Sequence, residues 1–258
     1  MRTSVIRRTA VAASAVSLAL LVTACGGEDS DSDSTGGKAK ETAAAKPNTP
    51  AVKALTAAEL EKAALVQGDV KEHKVVKAGP QDTLTADKVT VDKAACKPIA
   101  YTMSGVPVGD PAANVRRRVT SEPKKGQGTP SPEDFAAAFD VTITLASLSS
   151  YDGKGAEEAV NSLRTAVTDC ASGFTMTVSG TAQKVLKMTE TKASGGDEAV
   201  AWSVLTEADG DKSVLKLAVV RKGATLATFP ATKVAALGTG KDYPLPVAVM
   251  DAQVAKLG

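Results

Sequence analysis

Residues 199–229 read AVAWSVLTEADGDKSVLKLAVVRKGATLATF, and their pattern is the clearest indication of the fold class. It holds three apolar runs that are separated by the short turns Asp209-Gly210-Asp211 and Lys222-Gly223. Glycine turns of this length between apolar runs are typical of β-hairpins. Similar runs at 174–178 and 183–189 precede it. The pattern predicts a meander of antiparallel strands.

Helical patterns flank this meander. Thr56 with Glu59 three residues later is a capping box, which predicts that a helix begins after Thr56. Apolar residues recur at helical spacing from Ala156 to Cys170, and this is the strongest helix pattern in the chain. Shorter helices are expected over 94–103, with Pro98 in the first turn, and after Pro244 and Pro246. Further strands are expected at 70–76, 89–91, 115–120 and 139–148. The elements predict one α+β domain, an antiparallel sheet with helices packed mainly on one face.

The N-terminus has the features of an export signal. Arg2, Arg7 and Arg8 form a basic region, and 10–22 is an apolar run of signal-peptide length. This run is shorter than the ~20 apolar residues that a membrane-spanning helix needs. Val22-Thr23-Ala24-Cys25 at its end resembles a bacterial lipobox, in which the cysteine is diacylated and becomes the first residue. The sequence leaves open whether export follows the general or the twin-arginine route.

Charge and composition exclude one class of partner. Cleavage after residue 24 would leave 28 of the 31 Lys and Arg residues against 29 Asp and Glu. This balance gives no electrostatic basis for binding nucleic acid. Aromatic residues make up only 3% of the chain, so Val, Leu, Ala and Ile must build the core.

Three domain segments follow from these features. Residues 1–24 are the predicted lipoprotein signal peptide. Residues 25–54 are the acylated cysteine and a tether rich in Asp, Ser, Gly and Pro, too polar to bury much surface. A flexible tether of this length has a coil span of roughly 30 Å. Residues 55–258 are the predicted extracytoplasmic domain.

Two cysteines remain once Cys25 is assigned to lipid. In an exported chain, Cys96 and Cys170 are expected to form a disulfide, and two buried free thiols are the alternative. No Cys or His lies at ligand spacing beside either of them, so no metal site is expected.

The sequence shows no catalytic constellation. The only histidine, His73, lies in the charged run Lys71-Glu72-His73-Lys74, which favours a solvated surface residue over a catalytic base. There is no Gly-x-Ser-x-Gly motif and no phosphate loop, so no catalytic residue and no cofactor is expected. Trp202 is the only tryptophan. It could stack on a ligand, but a packed position under a helix is the favoured interpretation.

One local concentration of positive charge is present: Arg116, Arg117, Arg118, Lys124 and Lys125. It predicts a surface patch for phospholipid headgroups or anionic wall polymers. An edge strand kept soluble by its charges is the simpler alternative.

The chain resembles exported lipoproteins of high-GC actinobacteria in its lipobox and its Ala, Thr, Val and Lys bias. Its domain also resembles the extracellular sensor domain of mycobacterial receptor serine/threonine kinases. That resemblance is carried by the segments 55–60 with 68–70, Cys96 at a helix start, 170–174 at a helix end, 196–199, and 250–257. It implies an antiparallel sheet whose helices form a non-catalytic, ligand-binding cleft. Members of that family often carry two disulfides, whereas this chain has cysteines for one.

The expected function follows from these features together. The chain is predicted to be a lipid-anchored protein on the outer face of the cytoplasmic membrane, with a non-enzymatic ligand-binding or sensor-like domain. Its partners would be the membrane, through the anchor, and a small-molecule, wall-polymer or protein ligand. A carrier or chaperone for lipid or another apolar molecule is the alternative, and it would need a large apolar cavity. A hydrolase with an unrecognised site is the third hypothesis.

Overall fold

The computed structural model describes residues 52–123 and 138–258, which belong to one compact unit. Their nine strands form one antiparallel sheet in the order β1-β3-β4-β9-β8-β7-β6-β5-β2. The strands are β1 (His73–Lys77), β2 (Val89–Val91), β3 (Ala113–Ser121), β4 (Thr142–Ser150), β5 (Phe174–Val178), β6 (Thr181–Thr191), β7 (Glu198–Ala208), β8 (Asp211–Lys222) and β9 (Thr225–Lys233). The predicted α+β class with an antiparallel meander is confirmed.

Two tight hairpins set the register of the meander. Ser179-Gly180 joins β5 to β6 with φ of 48° and 88°, and Asp209-Gly210 joins β7 to β8 with φ of 52° and 88°. Two consecutive residues with positive φ match the right-handed twist of paired strands, and Asp-Gly and Ser-Gly tolerate this conformation well. The turns that the sequence indicated therefore form as hairpins.

Four α-helices lie in the described ranges: α1 (Ala57–Ala63), α2 (Lys97–Met103), α3 (Gly155–Asp169) and α4 (Val247–Ala255). The capping box of α1 forms as predicted, since Thr56 Oγ1 accepts from Glu59 N and Glu59 Oε2 accepts from Thr56 N. Pro98 lies in the first turn of α2. None of these helices is long and apolar enough to cross a bilayer.

The helices cover both faces of the sheet, which corrects the expectation that they pack mainly on one. We call the two faces the α3 face and the α1 face. On the α3 face, α2 and α3 pack against side chains that include Trp202, Leu217 and Phe174. On the α1 face, α1 and α4 pack against a second cluster that includes Phe229 and Ala218. The central strands are apolar on both sides, so each side needs a cover.

A buried glutamine joins the two helices of the α1 face. Gln253 of α4 is fully buried, its Oε1 accepts from Leu65 N at 3.2 Å, and its Nε2 donates to Ala63 O at 2.8 Å. It thereby satisfies backbone groups left free where α1 ends. The buried side of α4 is Val249, Met250 and Gln253, while Val247 at its start is exposed.

The disulfide Cys96–Cys170 is present, as predicted, with 5.8 Å between the two Cα atoms. It joins the residue before α2 to the residue after α3, and both cysteines are buried. The two helices that cover the α3 face are therefore linked covalently.

The first described residues are fixed at one end of the sheet. Ala54 N donates to Asp152 Oδ1 at 2.9 Å, and Leu55 N donates to Ser150 Oγ at 2.8 Å. Gly153 N donates to Val52 O at 2.7 Å. The chain thus enters the domain beside the turn between β4 and α3.

Candidate functional site

An open groove crosses the α3 face at the end of the sheet where β4 begins. Two adjoining cavities of about 420 and 400 Å³ form it and share Met103, Gln183, Leu215 and Thr232. We call it the sheet groove. Its walls are the loop 81–84 with the end of α2 on one side, and Leu237 and Gly238 on the other.

The floor of the sheet groove consists of strand side chains that α2 and α3 do not cover. Ile143, Leu145 and Leu215 are half-buried there, and Pro230 is buried beside them. Alternation along β4 sends Ile143 and Leu145 to this face, while Thr144 and Ala146 face α1. Gly105, with φ of +70°, lets the chain after α2 approach Leu145. The arrangement leaves an aliphatic trough open to solvent.

The arginine triplet is divided between the two faces. Arg117 pairs in register with Ala146 on the α1 face and is only 4% exposed. Its Nε donates to Leu65 O at 2.9 Å, and its Nη2 lies 2.6 Å from Glu61 Oε2. The bond from Arg117 lowers the pKa of Glu61 below its ordinary value. Arg117 therefore stabilises the fold, and its inclusion in a surface patch was wrong.

Arg116 and Arg118 point to the α3 face, because side chains two residues apart on a strand share a side. Arg118 Nη1 lies 3.6 Å from Asp82 Oδ1, at the edge of the sheet groove. Arg116 Nη1 donates to Leu84 O at 3.5 Å, while its buried Nε has no partner in the described part of the chain. Burial lowers the pKa of Arg116. β3 is also not an edge strand, since β1 pairs with it on the outer side.

Three of the predicted site residues lie outside the described residues. They are Cys25, Lys124 and Lys125. Their roles in lipidation and in an anionic-surface patch stay predictions, and so do the signal peptide and tether.

The surroundings of His73 and Trp202 indicate that both side chains stabilise the fold. His73 is half-buried at the start of the edge strand β1, and its Nδ1 lies 2.7 Å from Lys71 O. Trp202 is 4% exposed and packs in the core of the α3 face beside Val200 and Val204. The packed interpretation of Trp202 is confirmed, and its side chain is not free to stack on a ligand.

The buried Lys216 helps to fix residues 234–246, the segment that connects β9 to α4. Lys216 is 3% exposed and contacts Ser203 Oγ, and its Nζ lies 2.7 Å from Asp242 Oδ1. Burial alone would raise the pKa of Asp242, but the hydrogen bond and charge of Lys216 lower it below its ordinary value. Tyr243 OH donates to both Val214 O and Ala231 O, and burial raises its pKa to about 12. The cluster lies on the α1 face and fixes the segment that follows the Leu237 wall.

Metal ligands do not gather in the described ranges. No three His, Cys, Asp or Glu side chains come close enough there to hold a metal ion. The sheet groove itself is lined by Asp82 and Asp211 near its two ends, with neutral side chains between them.

Sequence reasoning missed the sheet groove. Its floor comes from β4, β8 and β9 and its walls from two loops, so residues far apart in the chain build it. The one local signal is the alternation of apolar and polar residues over 141–145, inside the strand expected at 139–148.

Comparison with known proteins gives only distant similarities. Neither a protein family nor a curated protein matches the chain. The extracellular domain of PknH from Mycobacterium tuberculosis is 12% identical with a TM-score of 0.40, covering 80% of this chain and 96% of that one. The Rv0999 ortholog from Mycobacterium smegmatis is 14% identical with a TM-score of 0.32, covering 72% of this chain and 90% of that one.

Proposed function

We propose that this protein is a lipid-anchored, extracytoplasmic, non-enzymatic domain that binds a ligand in the sheet groove and acts as a sensor-like module. The observation that carries the proposal is the groove itself. Two cavities of about 420 and 400 Å³ join on the part of the α3 face that α2 and α3 leave uncovered. Concave, mostly apolar sites of this size with a few polar groups are typical of small-molecule binding sites.

The chemistry of the lining supports a binding role. General acid–base or nucleophilic catalysis needs a titratable or nucleophilic group beside an orienting partner. Asp82 is paired with Arg118, and the hydroxyls of Thr232 and Ser104 have no base beside them among the lining residues. His73 and the Ser203–Lys216 contact lie elsewhere.

A carrier of lipid or another apolar molecule is the second candidate. The specific observation in its favour is the aliphatic floor of Ile143, Leu145 and Leu215. A carrier must shield its cargo from water on most sides, whereas this groove is open along one side. We therefore propose ligand recognition, and not transport of a cargo, as the function of the groove.

A single change in the floor tests the site. We expect Leu215→Glu to weaken ligand binding by about tenfold or more, because it places a charge where an apolar surface is desolvated. The measurement is native mass spectrometry of protein purified from its own host, which compares the mass retained by the wild type and the variant. The matched control is Val66→Glu, at an exposed apolar residue after α1.

The result separates the hypotheses. Loss of a retained molecule in Leu215→Glu but not in Val66→Glu supports the groove. Equal retention by both variants contradicts it. Turnover of an ester, peptide or glycan by the wild type, abolished by one substitution, would contradict the non-enzymatic role.

The anchor has its own test. Two acyl chains on Cys25, at about 0.8 kcal/mol per buried methylene, would hold the protein on the membrane. We expect Cys25→Ala to release the protein into the medium or to leave it as unprocessed precursor. Membrane fractionation with mass analysis of the N-terminus measures this. A Cys25→Ala protein that is cleaved normally and stays on the membrane contradicts the lipobox.

A further inference from the structure

We propose that the ligand of the sheet groove is an anionic amphiphile, with its acidic headgroup near Lys74 and Arg118 and its aliphatic chain over Ile143, Leu145 and Leu215. This inference rests on the proposed function, since it names the class of molecule for the same site. Four observations carry it.

The groove continues toward a cationic edge. A third cavity of about 440 Å³ is lined by Lys74, Val76, Arg118 and Thr120 on the same face. Lys74 pairs in register with Thr120, Thr120 with Ile143, and Ile143 with Thr232. These four side chains form one row across β1, β3, β4 and β9. Because directly opposed residues lie about 5 Å apart, the cavity adjoins the groove floor.

Cationic side chains line this edge of the sheet. Lys74 and Arg118 line the third cavity together with Glu122, and Asp82 on the adjoining loop pairs with Arg118. Lys74 is exposed and has no ion pair within the described residues. Arg116 adds a half-buried charge with no carboxylate partner there. A headgroup with one negative charge would complement this surface.

The opposite end repels the same headgroup. Asp211 lines the far cavity, beside Ser213 and Gly238. Asp211 is the only charged side chain in the lining of this far cavity, whereas cations line the cavity at β1 and β3. A molecule with one acidic end is favoured in a single orientation, with that end at β1 and β3.

The middle of the groove fits a hydrocarbon chain better than a peptide. The backbone groups of β3, β4, β9 and β8 pair with one another, so the floor presents side chains and no free ladder edge. A peptide laid there would lose water from its own N–H and C=O groups without gaining partners. An alkyl chain carries no such groups. The four strand spacings from β1 to β8 give it about 19 Å, comparable with a long acyl chain.

The test uses three simple probes below their aggregation concentrations: hexadecanoate, hexadecan-1-ol and acetate. We expect hexadecanoate to bind and to shift the methyl resonances of Ile143, Leu145 and Leu215. Hexadecanol should bind about tenfold more weakly, because it lacks the charge, and acetate should not bind measurably. In Lys74→Gln/Arg118→Gln, hexadecanoate should also bind about tenfold more weakly while hexadecanol is unchanged. Lys187→Gln, at an exposed lysine on β6, is the matched control.

Each negative result contradicts a different part of the proposal. Equal affinity for hexadecanoate and hexadecanol, or no effect of the Lys74 and Arg118 changes, overturns the anionic headgroup. Absence of binding by both chain probes overturns the amphiphile as a whole. In either case the groove function stands if Leu215→Glu still loses a molecule that the wild type retains from its host. The proposed groove function also fails if Leu215→Glu retains the same molecule as the wild type.

Discussion

Replacing Cys96 and Cys170 together by alanine is expected to lower the free energy of unfolding by about 4 kcal/mol. The bond spans a sequence separation of 74 residues, and its removal releases a long loop in the unfolded chain. Both cysteines have no exposed surface, so the alanines also leave small voids between α2 and α3. We expect the α3 face to lose more stability than the α1 face. Urea unfolding of the wild type and the variant measures the change in the free energy of unfolding.

The reduced wild type is the control for this change. Protein treated with a thiol reductant under denaturing conditions and then refolded should match the alanine variant to within about 1 kcal/mol. Peptide mapping without reductant should show Cys96 and Cys170 in one linked peptide. A variant as stable as the oxidised wild type would contradict the stabilising role of the bond.

Replacing Trp202 by alanine is expected to cost about 3–5 kcal/mol of stability. The indole is 4% exposed, pairs across the strand with Leu217, and packs with Val200 and Val204 under the helices of the α3 face. Thermal and urea unfolding give the change in the free energy of unfolding.

Two variants make the test of Trp202 specific. Trp202→Phe keeps most of the buried area and should cost clearly less than Trp202→Ala. Ser203→Ala, on the same strand but the other face, should have a small effect because the Lys216–Asp242 pair remains. If Trp202→Ala left stability unchanged and abolished ligand binding, the indole would be a ligand-stacking residue, contrary to its packed position.

The local elements could be predicted from the sequence because short-range chemistry dictates them. The Thr56–Glu59 capping box, the Asp209-Gly210 hairpin and the apolar stripe that ends at Cys170 each need only a few neighbouring residues. The disulfide was also predictable, because only two cysteines remained once Cys25 was assigned to lipid. Strand alternation places Arg117 on the face opposite to Arg116 and Arg118, so these three side chains cannot form one surface patch.

The position of the sheet groove depends on contacts between distant segments of the chain. The sheet groove exists because β9 inserts between β4 and β8, a strand order that no local pattern specifies. The core of the α1 face includes small side chains at Ala201 and Ala218, in the same cluster as residues of α1 and α4. Such residues are equally common in helices and loops. Fold class was therefore accessible from the sequence, and the position of the groove was not.

The place where the chain enters the domain has a practical consequence for binding measurements. Leu55 is fixed to Ser150 at one end of β4, and Ile143 lies in the groove at the other end. The two points are seven residue steps apart along β4, a distance of about 24 Å. Protein attached to a sensor chip or a bead through the residues before Val52 should keep its groove open to the solution. Immobilisation at that terminus thus suits ligand screening, whereas coupling through the lysines at β1 would block the edge that we expect a headgroup to use.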